Sequence, residues 1–138
     1  MNATLELLKF KIDLTIKHTM ITEKEILEVL GNELPAINAS LEKTEDINNI
    51  YKAMHCFANF TKSLISKGDF KEVKHCFNVA EKLLKNGNST VVNAIENSYL
   101  YSLSTILDFT TPVSLKVKSL LTDSLMKEYR RQVGASCI

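Results

Sequence analysis

The sequence predicts an all-α protein of five to six helices packed as antiparallel hairpins, in a helical bundle or a short α-solenoid-like array. Apolar side chains recur three or four positions apart along most of the 138 residues, which is the spacing of one helical face. The four Gly and two Pro residues fall between these periodic stretches, where they favour turns. A chain of this length suits one domain, which we expect to span residues 1–138.

The clearest local signal predicts a helix–turn–helix in the middle of the chain. From Asp46, apolar side chains share one face up to about Lys67. Gly68 then suits a left-handed helix end, and Asp69 suits an N-cap with Glu72 three positions later. One helix is therefore expected to end where the next begins.

Two further boundaries are predicted in the N-terminal third. Thr22 and Glu25 have the spacing of a capping box, so a helix should begin there. Gly31 is expected to end this helix, and Pro35 is expected to open another helical turn.

A central helix is predicted after the turn at residues 86–88, with Ser89 or Thr90 as its N-cap. Its apolar side chains surround most of the helix, and no Lys or Arg occurs between Asn86 and Pro112. Little of this helix should face water. Pro112 then suits the first position of a last helix, or of a broken pair, that extends to Gly134.

Residues 1–19 show a different pattern, because Phe10, Ile12, Leu14 and Ile16 alternate with polar residues. Alternation is typical of a strand, but one strand has no partner in a helical domain. We expect a helix here, with a strand or a flexible segment as alternatives, and with loose attachment to a domain that begins near Met20.

Composition and charge disfavour several functional classes. Seventeen basic residues against sixteen acidic ones give a net charge of +1, so no nucleic acid or anionic membrane partner is expected. Three cysteines do not form a disulfide framework. The sequence shows neither a signal peptide nor an apolar run long enough to span a membrane, so we expect a cytoplasmic protein.

Two His-Cys pairs, His55-Cys56 and His75-Cys76, contain the residue types of a zinc site or a nucleophilic pair. Adjacent helical residues point about 100° apart, and the two pairs lie at different heights of the predicted hairpin. They are therefore interpreted as buried thiols beside polar imidazoles. We predict no metal, no cofactor, no catalytic residue and no enzymatic activity.

Acidic residues are concentrated near the start of the chain, with seven between Thr22 and Asp46 against two lysines. The following hairpin and the C-terminal segment are basic. The acidic stretch either pairs with these segments in the fold or docks a basic partner. The residues predicted to contact such a partner are Glu23, Glu25, Glu28, Glu33 and Glu42.

Two family resemblances extend these predictions. The residues around Gly68-Asp69-Phe70, together with Val73, Phe77 and Ala80, resemble the helix–turn–helix of tetratricopeptide-type repeats. Over residues 21–129 the chain is similar to a small helical bacterial domain family of unknown function. Some members of that family are suspected immunity proteins that neutralise toxins by binding them.

These observations predict a non-enzymatic protein-binding module. The specific hypothesis is an immunity-type inhibitor whose acidic face covers a basic surface of a toxin. The alternative is a small helical scaffold without an electrostatic partner site, which could form a homodimer through its N-terminal segment.

Overall fold

The computed structural model of the protein describes residues 20–136. The predictions for residues 1–19 lie outside the described residues. Seven α-helices make up most of the described chain: α1 (Ile26–Glu33), α2 (Asn38–Lys43), α3 (Ile50–Lys67), α4 (Phe70–Asn86), α5 (residues 89–107), α6 (Pro112–Leu120) and α7 (Asp123–Ser136). The all-α prediction is confirmed.

The helix count corrects the prediction of five to six helices. The additional helices are short ones: α2 has six residues, and the C-terminal segment divides into α6 and α7. The break between α6 and α7 begins at Leu121, whose backbone is extended with φ −60° and ψ 139°. The segment after Pro112 therefore forms the broken pair that was left open as an alternative to one last helix.

The predicted helix–turn–helix between α3 and α4 is confirmed. Gly68 adopts a left-handed φ of 74°, which costs glycine little. The Asp69 N–H donates to the Leu64 carbonyl at 3.0 Å, and the Asp69 carboxylate accepts from the Glu72 N–H at 3.3 Å. These bonds satisfy backbone groups at both helix ends and make the turn tight.

Gly31 does not end the first helix, contrary to the prediction. It lies inside α1, which continues to Glu33. The helix stops because Leu34 precedes Pro35, and a residue before proline is disfavoured in the α region. Leu34 accordingly has φ −130° and ψ 74°. Pro35 does open the next turn, as predicted, through a 3₁₀ segment at Pro35–Ile37 that leads into α2.

Two other helix starts differ from the sequence prediction. α3 begins at Ile50 rather than near Asp46, because Asp46 has a positive φ of 54° that no α-helix accommodates. The N-cap of α5 is Asn88, not Ser89 or Thr90, and its side chain accepts from the Val91 N–H at 2.9 Å. Several residues at each site have N-cap propensity, so propensity alone could not select one.

α5 is the central helix, as predicted. It contains a π-helical segment at Ile95–Leu100, and this segment and its flanks bury residues around much of the helix. Inside the core, the Tyr99 ring stacks on Phe57 with centroids 4.1 Å apart. The Tyr99 and Thr61 hydroxyl oxygens are 2.9 Å apart. The fully buried residues of α5 are Val91, Ala94, Ile95, Tyr99, Leu100, Leu103 and Leu107.

Polar contacts join the ends of the described chain to this core. Ile21 forms a parallel bridge with Gly87, and its N–H donates to the Asn86 carbonyl at 2.7 Å. On α7, the Tyr129 hydroxyl lies 3.0 Å from the Leu107 carbonyl and 2.8 Å from the Asp108 carboxylate, two acceptors at the end of α5. Within residues 20–136, none of the helices combines the length and apolarity needed to cross a membrane.

Candidate partner-binding cleft on α3

A cleft of about 1250 Å³ runs along the outer side of α3, and we refer to it as the α3 cleft. Its volume exceeds the roughly 300–1,000 Å³ of typical small-molecule pockets. Side chains of α2, the α2–α3 loop, the start of α4 and Ser98 of α5 complete the lining. The contributions from α3 after Tyr51 recur at helical spacing: Lys52, His55, Cys56, Asn59, Phe60, Ser63, Leu64 and Lys67.

The difference in length between α2 and α3 explains why this side of α3 is open. α3 has 18 residues and is therefore about 27 Å long, whereas the six residues of α2 extend about 9 Å. α2 can flank only part of α3. On this side of α3, the apolar side chains of Phe60 and Leu64 are only partly buried.

The floor of the α3 cleft is apolar. Cys56, Phe60 and Leu64 follow one another at i, i+4 and i+8, which places them along one line of the helix. Cys56 is 7% exposed, while Phe60 and Leu64 are only partly buried against the core. These two side chains would lose water contact if a partner covered the cleft.

Exposed polar side chains form the outer part of the α3 cleft. His55, Asn59 and Ser63 are exposed and also lie at i, i+4 spacing. At the α5 side, Tyr51 is 46% exposed, and its hydroxyl accepts from the Asn93 amide at 3.4 Å. Interface centres are typically rich in aromatic residues, and the lining contains two of them, Tyr51 and Phe60.

Charged side chains occupy the ends of the cleft. Lys43 and Lys67 make no ion pair with another residue in the described part of the chain. The Lys52 Nζ lies 3.9 Å from the Asp46 carboxylate. The Glu72 carboxylate is 3.6 Å from the His75 Nδ1. The lining as a whole contains three lysines and three carboxylates, so its formal charges balance.

Three of the five carboxylates predicted to contact a partner have partners in their own chain. Glu33 accepts from the Lys82 ammonium at 2.7 Å, and this hydrogen bond lowers the pKa of Glu33. Glu25 accepts from the Thr22 N–H at 3.0 Å, as the capping box predicts. Glu23 accepts from the Asn88 amide at 3.3 Å.

The other two carboxylates, Glu28 on α1 and Glu42 on α2, are exposed. Neither has a hydrogen bond or ion pair with another residue between 20 and 136. None of the five lines the α3 cleft. The structure thus leaves Glu28 and Glu42 available at the surface and uses Glu33 to join the acidic segment to the basic hairpin.

The two described cysteines lie in the core, and Cys56 also lines the floor of the α3 cleft. Cys56 and Cys76 are both buried free thiols. Burial raises the pKa of Cys76 to about 12, which disfavours the thiolate needed for nucleophilic attack or metal binding. Among residues 20–136, no three His, Cys, Asp or Glu side chains gather in a group suited to a metal ion.

A smaller cleft of about 370 Å³ between α5 and α7 contains two carboxylates, Glu96 and Glu128. Two hydrogen bonds from Arg131, at 2.8 and 2.5 Å, hold Glu128. These bonds lower the pKa of Glu128. Burial and the nearby Glu128 raise the pKa of Glu96. The Gln132 side-chain amide donates to the Glu96 carbonyl at 2.8 Å and thereby attaches α7 to the π-helical segment of α5.

The fold and the α3 cleft define a small all-helical protein with an open groove along one of its helices. The chain belongs to the family described as Domain of unknown function (DUF7674), which matches residues 27–135. Comparison with curated proteins and with solved structures gives no match. The prediction that the chain resembles a helical domain family of unknown function is confirmed. The immunity role stays a prediction.

Sequence reasoning missed the α3 cleft, although one signal for it was present. Phe60 lies beside the main apolar stripe of α3 and widens it, in line with Cys56 and Leu64. A widened stripe needs more than one neighbouring helix to cover it. Only the observed shortness of α2 shows that this second neighbour does not cover the whole stripe.

Proposed function

We propose that this chain is a non-enzymatic protein-binding module that takes up a segment of a partner protein in the α3 cleft. The observation that carries the proposal is a large open cleft whose apolar floor, at Phe60 and Leu64, is only partly covered by the protein itself. The cleft is larger than a typical metabolite pocket. A protein segment would fill it better than a small molecule.

The distribution of residue types supports this function. Apolar burial contributes about 25 cal/mol per Å² removed from water, so covering Phe60 and Leu64 favours association. Exposed His55, Asn59 and Ser63 offer hydrogen bonds beside that floor. Apolar anchors within a polar rim are the usual organisation of a binding surface.

The proposed mechanism is occlusion, in the manner of an immunity protein that neutralises a toxin by covering part of its surface. Glu28 and Glu42 are exposed, and they are available to a basic patch of such a partner. Their long-range attraction would mainly accelerate encounter, whereas the contacts within the cleft would determine how slowly the complex dissociates.

Site-specific photo-crosslinking tests this function in cells of the source organism. A photo-crosslinking amino acid replaces either Asn59, which lines the cleft, or Asn78, which is exposed on α4. We expect an adduct with a different protein from position 59 and not from position 78. Equal adducts from both positions would contradict the proposal, and an adduct with a second copy would favour the scaffold alternative.

A further inference from the structure

The cleft between α5 and α7 brings two carboxyl groups into contact. Glu96 lies on the π-helical segment of α5 and Glu128 lies on α7, and both line this cleft of about 370 Å³. Their side chains are within hydrogen-bond distance of each other. Two ionised carboxylates repel at such a distance and have no hydrogen to share, so a bond between them requires a proton on one of the two.

The hydrogen bonds of Glu128 determine which group takes this proton. Glu128 is 8% exposed, and both of its carboxylate oxygens accept hydrogen bonds from Arg131. The Gln132 amide donates a further bond to Glu128 at 2.9 Å. These donors stabilise the ionised form of Glu128. Glu96 is therefore the group that is protonated and donates to Glu128.

Other charged groups near Glu96 do not replace this proton. The cleft is also lined by Lys85 of α4 and Lys127 of α7. Lys127 is exposed, and the Lys85 ammonium lies 3.3 Å from the Glu81 carboxylate. Within residues 20–136, neither lysine forms an ion pair with Glu96. Burial and the neighbouring carboxylate raise the pKa of Glu96, although the positive charge of Arg131 opposes this change.

Polar contacts contribute much of the attachment of α7 to the rest of the protein. Among the described residues of α7, Leu125 is the one apolar side chain without exposed surface, while Met126 and Tyr129 are only partly buried. A helix held by few buried apolar side chains can open locally without unfolding of the other helices. The charge state of the contact between Glu96 and Glu128 therefore affects how often α7 opens.

We propose that Glu96 and Glu128 form a pH-sensitive carboxyl pair that holds α7 on α5 more firmly at mildly acidic pH than at neutral pH. The protonated Glu96 carboxyl donates to the Glu128 carboxylate. Because the native pKa of Glu96 is raised, this contribution is fully present below the ordinary value of 4.5 and disappears as the pH rises through the native value. Neither residue lines the α3 cleft, so the inference is independent of the proposed function.

Glu96→Gln tests the carboxyl pair in the full-length protein, because its neutral amide can donate to Glu128 at every pH. At about pH 7 this variant should melt about 2–4 °C higher than the original protein, and the difference should shrink at pH 4.5. Amide hydrogen exchange, corrected for intrinsic rates, should show about three- to tenfold slower opening of α7 at neutral pH. Glu28→Gln is the control and should change neither measurement, since Glu28 is exposed.

NMR titration of the glutamate carboxyl carbons tests the contact between the two groups directly. The titration midpoint of Glu96 should lie above 4.5, and it should fall in Glu128→Gln, because that variant removes the neighbouring negative charge. A Glu96 midpoint that Glu128→Gln leaves unchanged would overturn the proposal, as would a lower melting temperature of Glu96→Gln at neutral pH. Equal changes of amide exchange in α3 and α7 would overturn the local opening of α7.

Discussion

The two sides of α3 differ in how completely the rest of the protein covers them. On the inner side, Phe57 and Thr61 contact Tyr99 of α5, and all three residues have no exposed surface. On the outer side, Phe60 and Leu64 are partly exposed beside exposed polar residues. The inner side therefore specifies how the helices pack, while the outer side is available to a partner.

The largest expected effect concerns the inner side of α3. Tyr99→Ala should lower the free energy of unfolding by about 3–5 kcal/mol, because it removes a fully buried aromatic ring. Tyr101→Ala is the matched control, since Tyr101 is 67% exposed on the same helix, and it should change stability by less than about 0.5 kcal/mol. Urea denaturation measures both, and equal losses would contradict the described packing of α5.

The second expected effect is on the pH dependence of stability, and it concerns Glu128 on α7. The hydrogen bonds from Arg131 lower the pKa of Glu128, so the ionised form stabilises the native state. This contribution is present above the ordinary pKa of 4.5 and disappears as the pH falls through the lowered native value. Glu128→Gln should cost about 1–2 kcal/mol at neutral pH.

Thermal unfolding between about pH 3 and 7 measures this dependence. Glu128→Gln should destabilise the protein less at acidic pH than at neutral pH. Glu28→Gln is the control, because Glu28 is exposed and has no partner among residues 20–136. A constant difference between Glu128→Gln and the original protein across this range would refute the assigned role of Arg131.

A third, smaller effect isolates the polar contact within the core. Tyr99→Phe removes the hydroxyl that lies 2.9 Å from the Thr61 hydroxyl. Thr61 keeps its bond to the Phe57 carbonyl at 3.0 Å, so the expected loss is about 1 kcal/mol. A double-mutant cycle with Thr61→Val measures the coupling between the two hydroxyls, and additive losses would exclude it.

The sequence predicts much of the fold where local chemistry determines it. Gly68 and Asp69 define their turn because few other residue pairs combine a left-handed conformation with an N-cap. The prediction that Gly31 ends α1 is wrong, because glycine is tolerated within a helix and Pro35 determines where α1 ends. The π-helical segment at Ile95–Leu100 depends on packing around α5, which local patterns do not contain.

The candidate site is less predictable, because it depends on contacts between distant residues. Glu33 belongs to the acidic segment in sequence, yet Lys82 neutralises it across 49 positions. The opening above Phe60 depends on where α2 ends relative to α3. Residue types can therefore suggest a binding protein, but only the packing shows which side chains remain available.

The smallest effect on stability is expected from reversing the charge at Glu28 and Glu42. Glu28→Lys with Glu42→Lys should change the free energy of unfolding by less than about 0.5 kcal/mol, since both side chains are exposed. With a basic partner, the same variant should slow association severalfold and reduce its salt dependence. Stopped-flow or surface-binding kinetics measure the association rate. An unchanged rate would show that Glu28 and Glu42 do not attract the partner.

The central claim is that the outer side of α3 binds a partner protein. Its most direct test is the affinity of the partner identified by crosslinking from position 59, measured by calorimetry for Ser63→Arg and Asn78→Arg. Both positions are exposed on helices, so both variants should fold with unchanged thermal stability. The α3 cleft predicts at least about a tenfold loss for Ser63→Arg and no loss for Asn78→Arg, whereas equal affinities would contradict it.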